Sequence, residues 1–155
     1  MTKSLNILKI LILFSLISGC GFKVINQSEL INFKISSISV TGDNKIGYII
    51  KNKLLPYSNN NEKQFLDLDI NVKKNKSIKE KNIKNEITKF EITIMAIIEY
   101  KTKDTVKFEI SKNGSYTVTS QYSQTLNNEK KLIKILSEKL AEKIIEELIQ
   151  RTDDT

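Results

Sequence analysis

The only cysteine of this 155-residue chain, Cys20, follows an N-terminal stretch that has the features of an export signal. Two lysines come first, the apolar run Ile10–Leu16 follows, and small residues stand directly before the cysteine. A basic start, a short apolar segment and small residues at a cleavage site are typical of a secretory signal peptide. The apolar run is shorter than the ~20 residues that a bilayer-spanning helix needs. We therefore predict that residues 1–19 are a signal peptide.

The four residues Ile17-Ser18-Gly19-Cys20 resemble the lipobox of bacterial lipoproteins, in which an aliphatic residue, a small residue and a glycine precede the cysteine. The resemblance implies that the Cys20 thiol receives a diacylglyceryl group, that the chain is cut before Cys20, and that the new amino terminus is acylated, with palmitate. Several acyl chains, at about 0.8 kcal/mol per buried CH₂, hold a protein on a membrane essentially permanently. A plain signal peptide or an uncleaved anchor with an incidental cysteine is the alternative. Gly21 follows the cysteine, and by resemblance to known lipoprotein sorting this implies the outer membrane.

The composition removes several classes of chemistry. The chain has no histidine and, once Cys20 carries lipid, no thiol, which excludes His/Cys metal sites, cysteine nucleophiles, Ser-His-Asp triads and disulfide bonds. Asp67 and Asp69 stand two residues apart on one face of a predicted strand, and no third ligand is near them in the sequence. We interpret them as solvated carboxylates rather than as a catalytic or metal-binding pair. We expect a protein that is not an enzyme and needs no cofactor or metal.

The positive charge of the chain comes almost entirely from lysine. The formal net charge is +7, and loss of Lys3 and Lys9 with the signal peptide leaves +5. No nucleic-acid recognition motif is present, and an exported lipoprotein rarely meets nucleic acid, so an anionic lipid or glycolipid is the better partner. The densest lysine run is Lys73–Asn85, which we interpret as a solvated hairpin loop. A patch that binds phosphates or an anionic partner is the alternative.

The hydrophobic pattern predicts the element order β-α-β-β-β-α. Strands are predicted at 33–40, 64–72, 86–101 and 106–122, and amphipathic helices at 45–55 and 126–151. In the first strand the alternation of apolar residues breaks, which indicates a bulge or a strand covered on both faces. Asp43 or Asn44 is expected to cap the first helix and Asn127 or Asn128 the second. Over 106–122 the pattern fits one long, bent strand, with a hairpin at Asn113-Gly114 as the alternative.

This order predicts an α+β domain in which two helices pack on one face of a four-stranded sheet. The second face of the sheet is then partly exposed, and Met95 and Ile97 lie there. Residues 20–32 are predicted to be a lipidated tether, residues 33–151 a single domain, and residues 152–155 a frayed tail.

The residues then resemble a known family along essentially the whole mature chain. Cys20-Gly21-Phe22 opens that chain, a β-α pair follows, and the strand FEITIMAIIEYK comes next with its hairpin partner. Ser120-Gln121-Tyr122 then leads into the terminal helix. This order and pattern are similar to those of the outer-membrane lipopolysaccharide-assembly lipoproteins, the LptE family. The resemblance implies the fold just described and a location on the outer membrane, lipid-anchored on its periplasmic side.

The same resemblance implies partners and a function. An LptE-like protein plugs and supports a large outer-membrane β-barrel, LptD, binds lipopolysaccharide, and takes part in its assembly at the cell surface. Candidate contacts to lipopolysaccharide or another anionic ligand, chosen by charge and by their predicted place at strand ends, are Lys73, Lys74, Lys84 and Lys112. A structural or scaffold lipoprotein of another envelope or secretion complex is the alternative function.

Overall fold

A four-stranded sheet with two helices on one face makes up the described part of the chain, which is residues 33–58, 64–101 and 104–153 of a computed structural model. The elements are β1 (Phe33–Gly42), α1 (Asn44–Leu54), a 3₁₀ turn (Leu55–Ser58), β2 (Gln64–Lys81), β3 (Ile87–Lys101), β4 (Thr105–Thr117) and α2 (Tyr122–Asp153). The α+β class and the predicted order are confirmed. The predicted signal peptide, Cys20 and the tether lie outside the described residues.

The strands lie side by side in chain order, β1-β2-β3-β4. β1 runs parallel to β2, and the other neighbours are antiparallel. A parallel pair needs a crossover connection, and α1 supplies it. The register of β1 against β2 shifts between Ile35 and Ser37, so the broken alternation in the sequence is a bulge, as predicted.

The core lies between the sheet and the two helices. Alternate residues of the two central strands are buried there, which is the pattern of a strand with one covered face. These strand residues are Leu66, Leu68, Ile70, Val72, Ile92, Ile94, Ala96, Ile98 and Tyr100. The helices contribute Ile46, Ile50 and Leu54 from α1, and Leu136, Leu140, Ile144 and Leu148 from α2. Within the described residues, neither helix is both long enough and apolar enough to cross a bilayer.

A tight turn joins β1 to α1. Asp43 caps the helix as predicted, because its Oδ1 accepts hydrogen bonds from the backbone N–H groups of Lys45 (3.2 Å) and Ile46 (3.1 Å). Gly42 before it has a φ of +94°, and a Cβ there would lie 2.0 Å from the carbonyl oxygen of Val72. Only glycine fits this turn without strain.

The start of α2 differs from the prediction. The helix begins at Tyr122, so the predicted cap at Asn127 or Asn128 is wrong. Thr125 ties the first turn of the helix to the segment before it, because its Oγ1 accepts a hydrogen bond from the backbone N–H of Thr119 at 2.9 Å. Asn128 is used differently: its amide donates to the carbonyl of Thr117 at 3.2 Å.

α2 also extends beyond the predicted end at residue 151. Thr152, which the sequence assigns to a frayed tail, is a buried residue of α2, and its hydroxyl donates to the carbonyl of Leu148 at 2.8 Å. The last helical residue is Asp153.

The lysine run is part of β2 and not a loop, so the prediction of a solvated hairpin loop over Lys73–Asn85 is wrong. β2 continues to Lys81 because β3 pairs with it from Leu68 to Lys81, and the turn is confined to 82–86. β1 accompanies β2 only as far as Val72. Residues 73–89, which we call the arm, therefore extend beyond β1, while β4 continues beside β3 as far as the pair Lys89–Thr117.

β4 is one strand through Asn113-Gly114, so the prediction of a single strand is confirmed over the alternative of a hairpin. The strand ends at Thr117 rather than at residue 122. A Cβ on Gly114 would lie 2.9 Å from Leu132 Cδ1, so the glycine allows α2 to approach β4 closely. Gly114 therefore serves helix packing, and the Asn-Gly pair forms no turn.

Candidate functional site

The four candidate lysines do not form one patch. Lys74 and Lys112 both pair with Ile94 in register, which puts them on the helix-covered side of the sheet, and Lys112 is in the middle of β4 rather than at its end. Lys73, one residue from Lys74, therefore points to the opposite face. Lys84 is in the turn of the arm. The structure brings two of the four to one side of the sheet and separates the other two.

Lys74 has a structural partner. Its Nζ lies 3.1 Å from Oδ2 of Asp43, the carboxylate that caps α1. Partial burial raises the pKa of Asp43, but the hydrogen bonds from Ile46 and Lys74 outweigh it and hold the pKa below its ordinary value. A ligand phosphate at Lys74 would compete with this carboxylate.

A second lysine of the run, Lys76, joins the arm to α2. Its Nζ lies 2.7 Å from Glu129 Oε2, and the hydroxyl of Tyr116 donates to the same oxygen at 2.7 Å. The ammonium also lies 4.4 Å from the ring centroid of Phe90 and 5.4 Å from that of Tyr116. These rings stack with their centroids 5.8 Å apart, so the ammonium makes cation–π contacts with both of them.

The pKa values in this cluster move in the directions that stabilise the ion pair. Burial raises the pKa of Glu129, but hydrogen bonds from Lys76 and Tyr116 outweigh it and hold the pKa below the ordinary value. Burial lowers the pKa of Lys76, and the bond to Glu129 outweighs it and raises the pKa. Burial is also the main reason why the pKa of Tyr116 is raised. All three groups stay in one protonation state near neutral pH, which suits a structural role rather than proton transfer.

Sequence reasoning missed this cluster. Lys76 was one of several lysines in a predicted loop, so nothing marked it out. The usable signal was parity: Lys74, Lys76 and Ile78 continue the period-2 pattern of the preceding strand.

The tip of the arm is a rigid turn. Asn82 Oδ1 accepts hydrogen bonds from the backbone N–H groups of Lys84 (2.9 Å) and Glu86 (3.0 Å), while its amide donates to the Glu86 carboxylate at 2.8 Å. Asn85 takes a φ of 63°, which asparagine tolerates better than most residues. Ile83, at the apex, is 103 % exposed.

The arm's remaining lysines divide into paired and unpaired ones within the described residues. Lys79 pairs with Glu91 at 2.9 Å, and Lys89 pairs with Glu80 at 2.6 Å. Among the residues that the structure describes, no carboxylate lies within ion-pair distance of Lys73, Lys81 or Lys84. The amine of Lys81 donates to Asn85 Oδ1 at 3.0 Å. The lysines that lack an acidic partner are therefore concentrated near the tip and at Lys73.

The face of the sheet away from the helices is polar and is covered by no other element of the described chain. Side chains bond across neighbouring strands: Ser37 donates to Asp67 at 2.6 Å, and Asn71 donates to Thr41 at 2.8 Å. We call this surface the open face. Its other polar residues include Ser39, Asp69, Thr93, Glu99, Lys107, Ser111, Asn113 and Ser115. Met95 and Ile97 lie there half-buried, as predicted.

A shallow depression in the open face is the most notable concavity there. It has a volume of about 240 Å³, and its floor includes Ile97. Asp69 and Glu99 are directly opposite each other across two strands, and Lys107 lies 3.8 Å from Glu99 and offsets part of the like-charge repulsion. Within the described ranges, no three histidine, cysteine, aspartate or glutamate residues come together as a metal site would require.

Comparison with known proteins finds relatives by structure only. No protein-family model and no curated protein matches the sequence. Among solved structures, the rare lipoprotein B from Shewanella oneidensis is similar with a TM-score of 0.60 at 10 % identity, over 76 % of this chain and 97 % of that one. The uncharacterized lipoprotein B from Nitrosomonas europaea gives 0.63 at 15 % identity, over 86 % and 93 %. A minor lipoprotein from Acinetobacter baumannii gives 0.54 at 14 % identity, over 79 % and 94 %. At these identities the likeness is one of fold.

Proposed function

We propose that this chain is an outer-membrane lipoprotein of the LptE type. It sits in and supports a large β-barrel that translocates lipopolysaccharide, binds lipopolysaccharide, and takes part in its assembly at the cell surface. Three similar solved structures are named as lipoproteins, and the match spans nearly their full length, which supports a lipoprotein role. The Ile17-Ser18-Gly19-Cys20 sequence ahead of the domain supports lipid attachment at Cys20.

The open face is the observation that carries the proposal. An antiparallel sheet can leave one face to water, and this face offers mainly side-chain hydroxyls, amides and offset charges, with Phe65 exposed near its β1 edge. The interior of a wide outer-membrane barrel is polar, so a polar, rigid surface is the kind that can seat against it. The half-buried Met95 and Ile97 add a small apolar contact at its centre.

Lipopolysaccharide binding is assigned to lysines without an acidic partner. Lys73 and Lys84 are exposed, and Lys112 is half-buried. An ammonium group pairs well with the phosphates of an anionic glycolipid because both partners are charged. Lys74 is the weakest of the four candidates, since its amine already forms an ion pair with Asp43.

Co-purification tests the barrel partner. The full chain with a C-terminal affinity tag is recovered from outer membranes in mild detergent, alongside Ser111→Trp on the open face and Lys130→Trp on the exposed side of α2. We expect a stoichiometric large β-barrel with the wild type and with Lys130→Trp, and its loss with Ser111→Trp, because the bulky ring prevents close seating. Recovery of inner-membrane or pilus components instead would favour a scaffold lipoprotein of another complex.

Intact mass tests the anchor. The mature protein should begin at Cys20 and carry a diacylglyceryl group and one further acyl chain, and Cys20→Ala should abolish both modifications and the cleavage. An unmodified Cys20 in membrane-derived protein would contradict the proposal.

A further inference from the structure

The tip of the arm presents an apolar side chain in an otherwise polar turn. Ile83 is fully exposed at the apex, and Ile78, also on the arm, is 50 % exposed. Single exposed apolar residues are common and need no explanation by themselves. Three further features of the tip distinguish Ile83: the rigidity of its turn, the sign of the charge around it, and the reach of the arm.

The turn holds Ile83 outward. The side chain of Asn82 bonds to the backbone N–H groups of Lys84 and Glu86, and so it spans the segment that carries Ile83. The carbonyl of Asn82 also accepts a hydrogen bond from the backbone N–H of Asn85 at 2.9 Å. A turn fixed in this way has little freedom to fold its apolar side chain back onto the arm, so its exposure is built in.

The charge around Ile83 is positive. Residues 78–89 contain four lysines and two glutamates. Both glutamates are engaged, Glu80 by Lys89 at 2.6 Å and Glu86 by the amide of Asn82. Lys89 lowers the pKa of Glu80, so that carboxylate stays ionised and paired. Lys81 and Lys84, which flank the apex, have no carboxylate within ion-pair distance among the described residues.

The arm gives the tip reach. β1 stops pairing at Val72, so β2 runs nine further residues to Lys81 before the turn begins. At about 3.3 Å per residue, this part of the strand is roughly 30 Å long. The apex is therefore well clear of β1 and α1, and the turn at 82–86 extends past the last pair of β3 with β4, Lys89–Thr117.

We propose that the arm tip is a membrane contact: Ile83 inserts among the acyl chains at the surface of an anionic phospholipid bilayer, while Lys81 and Lys84 pair with its phosphates. An apolar group with flanking ammonium groups on flexible stems reproduces the layering of that surface, with hydrocarbon inside and phosphate outside. One isoleucine and two lysines bind weakly alone. On a protein that is already anchored to a membrane, the effective concentration of lipid at the tip is high, so even a weak contact can form. Such a contact would fix the orientation of the domain relative to the bilayer.

Tryptophan fluorescence tests the contact, because the chain contains no tryptophan. The full acylated chain carrying Ile83→Trp is reconstituted into phosphatidylcholine vesicles with and without phosphatidylglycerol, and quenching by brominated acyl chains is measured. Tyr48→Trp on α1 is the matched control, since Tyr48 is 69 % exposed. It measures how far an exposed tryptophan binds the membrane interface by itself, without the charges of the tip. We expect a blue shift and several-fold stronger quenching at position 83 than at position 48 on phosphatidylglycerol vesicles.

The same measurement in a Lys81→Glu/Lys84→Glu background should return position 83 to solvent-like emission. Equal quenching at positions 83 and 48, or no effect of the charge reversal, would overturn the proposal. Insertion only into vesicles that contain lipopolysaccharide would also overturn it, because the site would then be a glycolipid site. No barrel is present in this assay, so its outcome is separate from that of the co-purification.

Discussion

Lys76 Nζ lies 2.7 Å from Glu129 Oε2, although the two residues are 53 positions apart in the sequence. The contact connects the base of the arm to α2, and Tyr116 adds a second donor to the same oxygen. Outward of this contact, the arm is held by its own hairpin ladder and by the last pairs with β4. The cluster therefore ties the arm to α2 in addition to the pairing of its strands.

Replacing Glu129 tests the energetic role of this contact. Glu129→Gln should lower the free energy of unfolding by about 1–2 kcal/mol at pH 7, the usual scale for charge-assisted hydrogen bonds at a partly exposed site. The pKa of Glu129 in the folded protein is below its ordinary value of 4.5, so the stabilisation is present above that pH and is lost as the pH falls through the folded value. Urea unfolding at pH 7 and pH 3 should show the difference between wild type and variant shrinking in acid.

Tyr116→Phe is the companion to that experiment. It removes one donor and keeps the ion pair, so it should cost about 0.5–1.5 kcal/mol. A difference between wild type and Glu129→Gln that is the same at both pH values would contradict the charge-based account.

The turn between β1 and α1 should be intolerant of any side chain. Gly42→Ala forces a Cβ into the Val72 carbonyl at a positive φ, and we expect a loss of about 2–4 kcal/mol in the free energy of unfolding. Gly114→Ala is the matched control, because the nearest atoms there are the movable ends of Leu132 and Leu136. Thermal or urea unfolding should rank Gly42→Ala as clearly the more damaging, and equal losses would show that backbone strain at Gly42 is not the cause.

Charge reversal should separate the structural lysine from the candidate binding lysines. Lys74→Glu places a second negative charge beside Asp43 at the start of α1, so stability should fall by about 1 kcal/mol. Lys73→Glu/Lys84→Glu should change stability by less than about 0.5 kcal/mol, since both residues are exposed and lack an ion-pair partner in the described chain. Under the proposed function, this double variant should retain less lipopolysaccharide in a pull-down, and unchanged retention would remove both lysines from the binding site.

The lysines of β2 should also protect its unpaired edge. Residues 73–81 have β3 on one side and no neighbouring strand of the described chain on the other, and lysines on such an edge discourage pairing with another molecule. Lys73→Val/Lys81→Val should raise concentration-dependent association, measured by light scattering. Lys130→Val/Lys134→Val on α2 removes the same charge without altering an edge, and matching association by that control would point to net charge instead.

Periodicity in the sequence was sufficient for the layers of the fold but not for the arm. The alternation over 64–72 and the steps of four in α2 place the core residues of β2 and many of those of α2, because burial on one face imposes one period on each element. The arm failed the same test since its strands have no apolar face, and lysines at successive positions resemble a loop. The continued alternation of Lys74, Lys76 and Ile78 is a weak signal by itself, and what makes Lys73–Lys81 a strand is its pairing with β3.

The candidate site was predictable only in part. Charge and predicted position at strand ends selected Lys73, Lys74, Lys84 and Lys112, but strand parity and the Asp43 contact divide them into different surfaces. Glu129 could not have been found, because its role depends on Lys76 across the molecule. The early start of α2 was hidden as well, since the Thr119–Thr125 contacts that tie its first turn to the preceding segment do not follow the usual N-cap spacing.

The parallel pairing of β1 has a mechanical consequence. Any tension that reaches the domain from its N-terminal side enters at Phe33, the first residue of an edge strand, and loads the β1–β2 ladder in shear along its length. Detachment of β1 would leave the antiparallel strands and α2 together, because β2, β3 and β4 remain paired with one another from Leu68 onward. Under such tension we expect β1 to detach first, while the hairpins formed by β2, β3 and β4 stay intact.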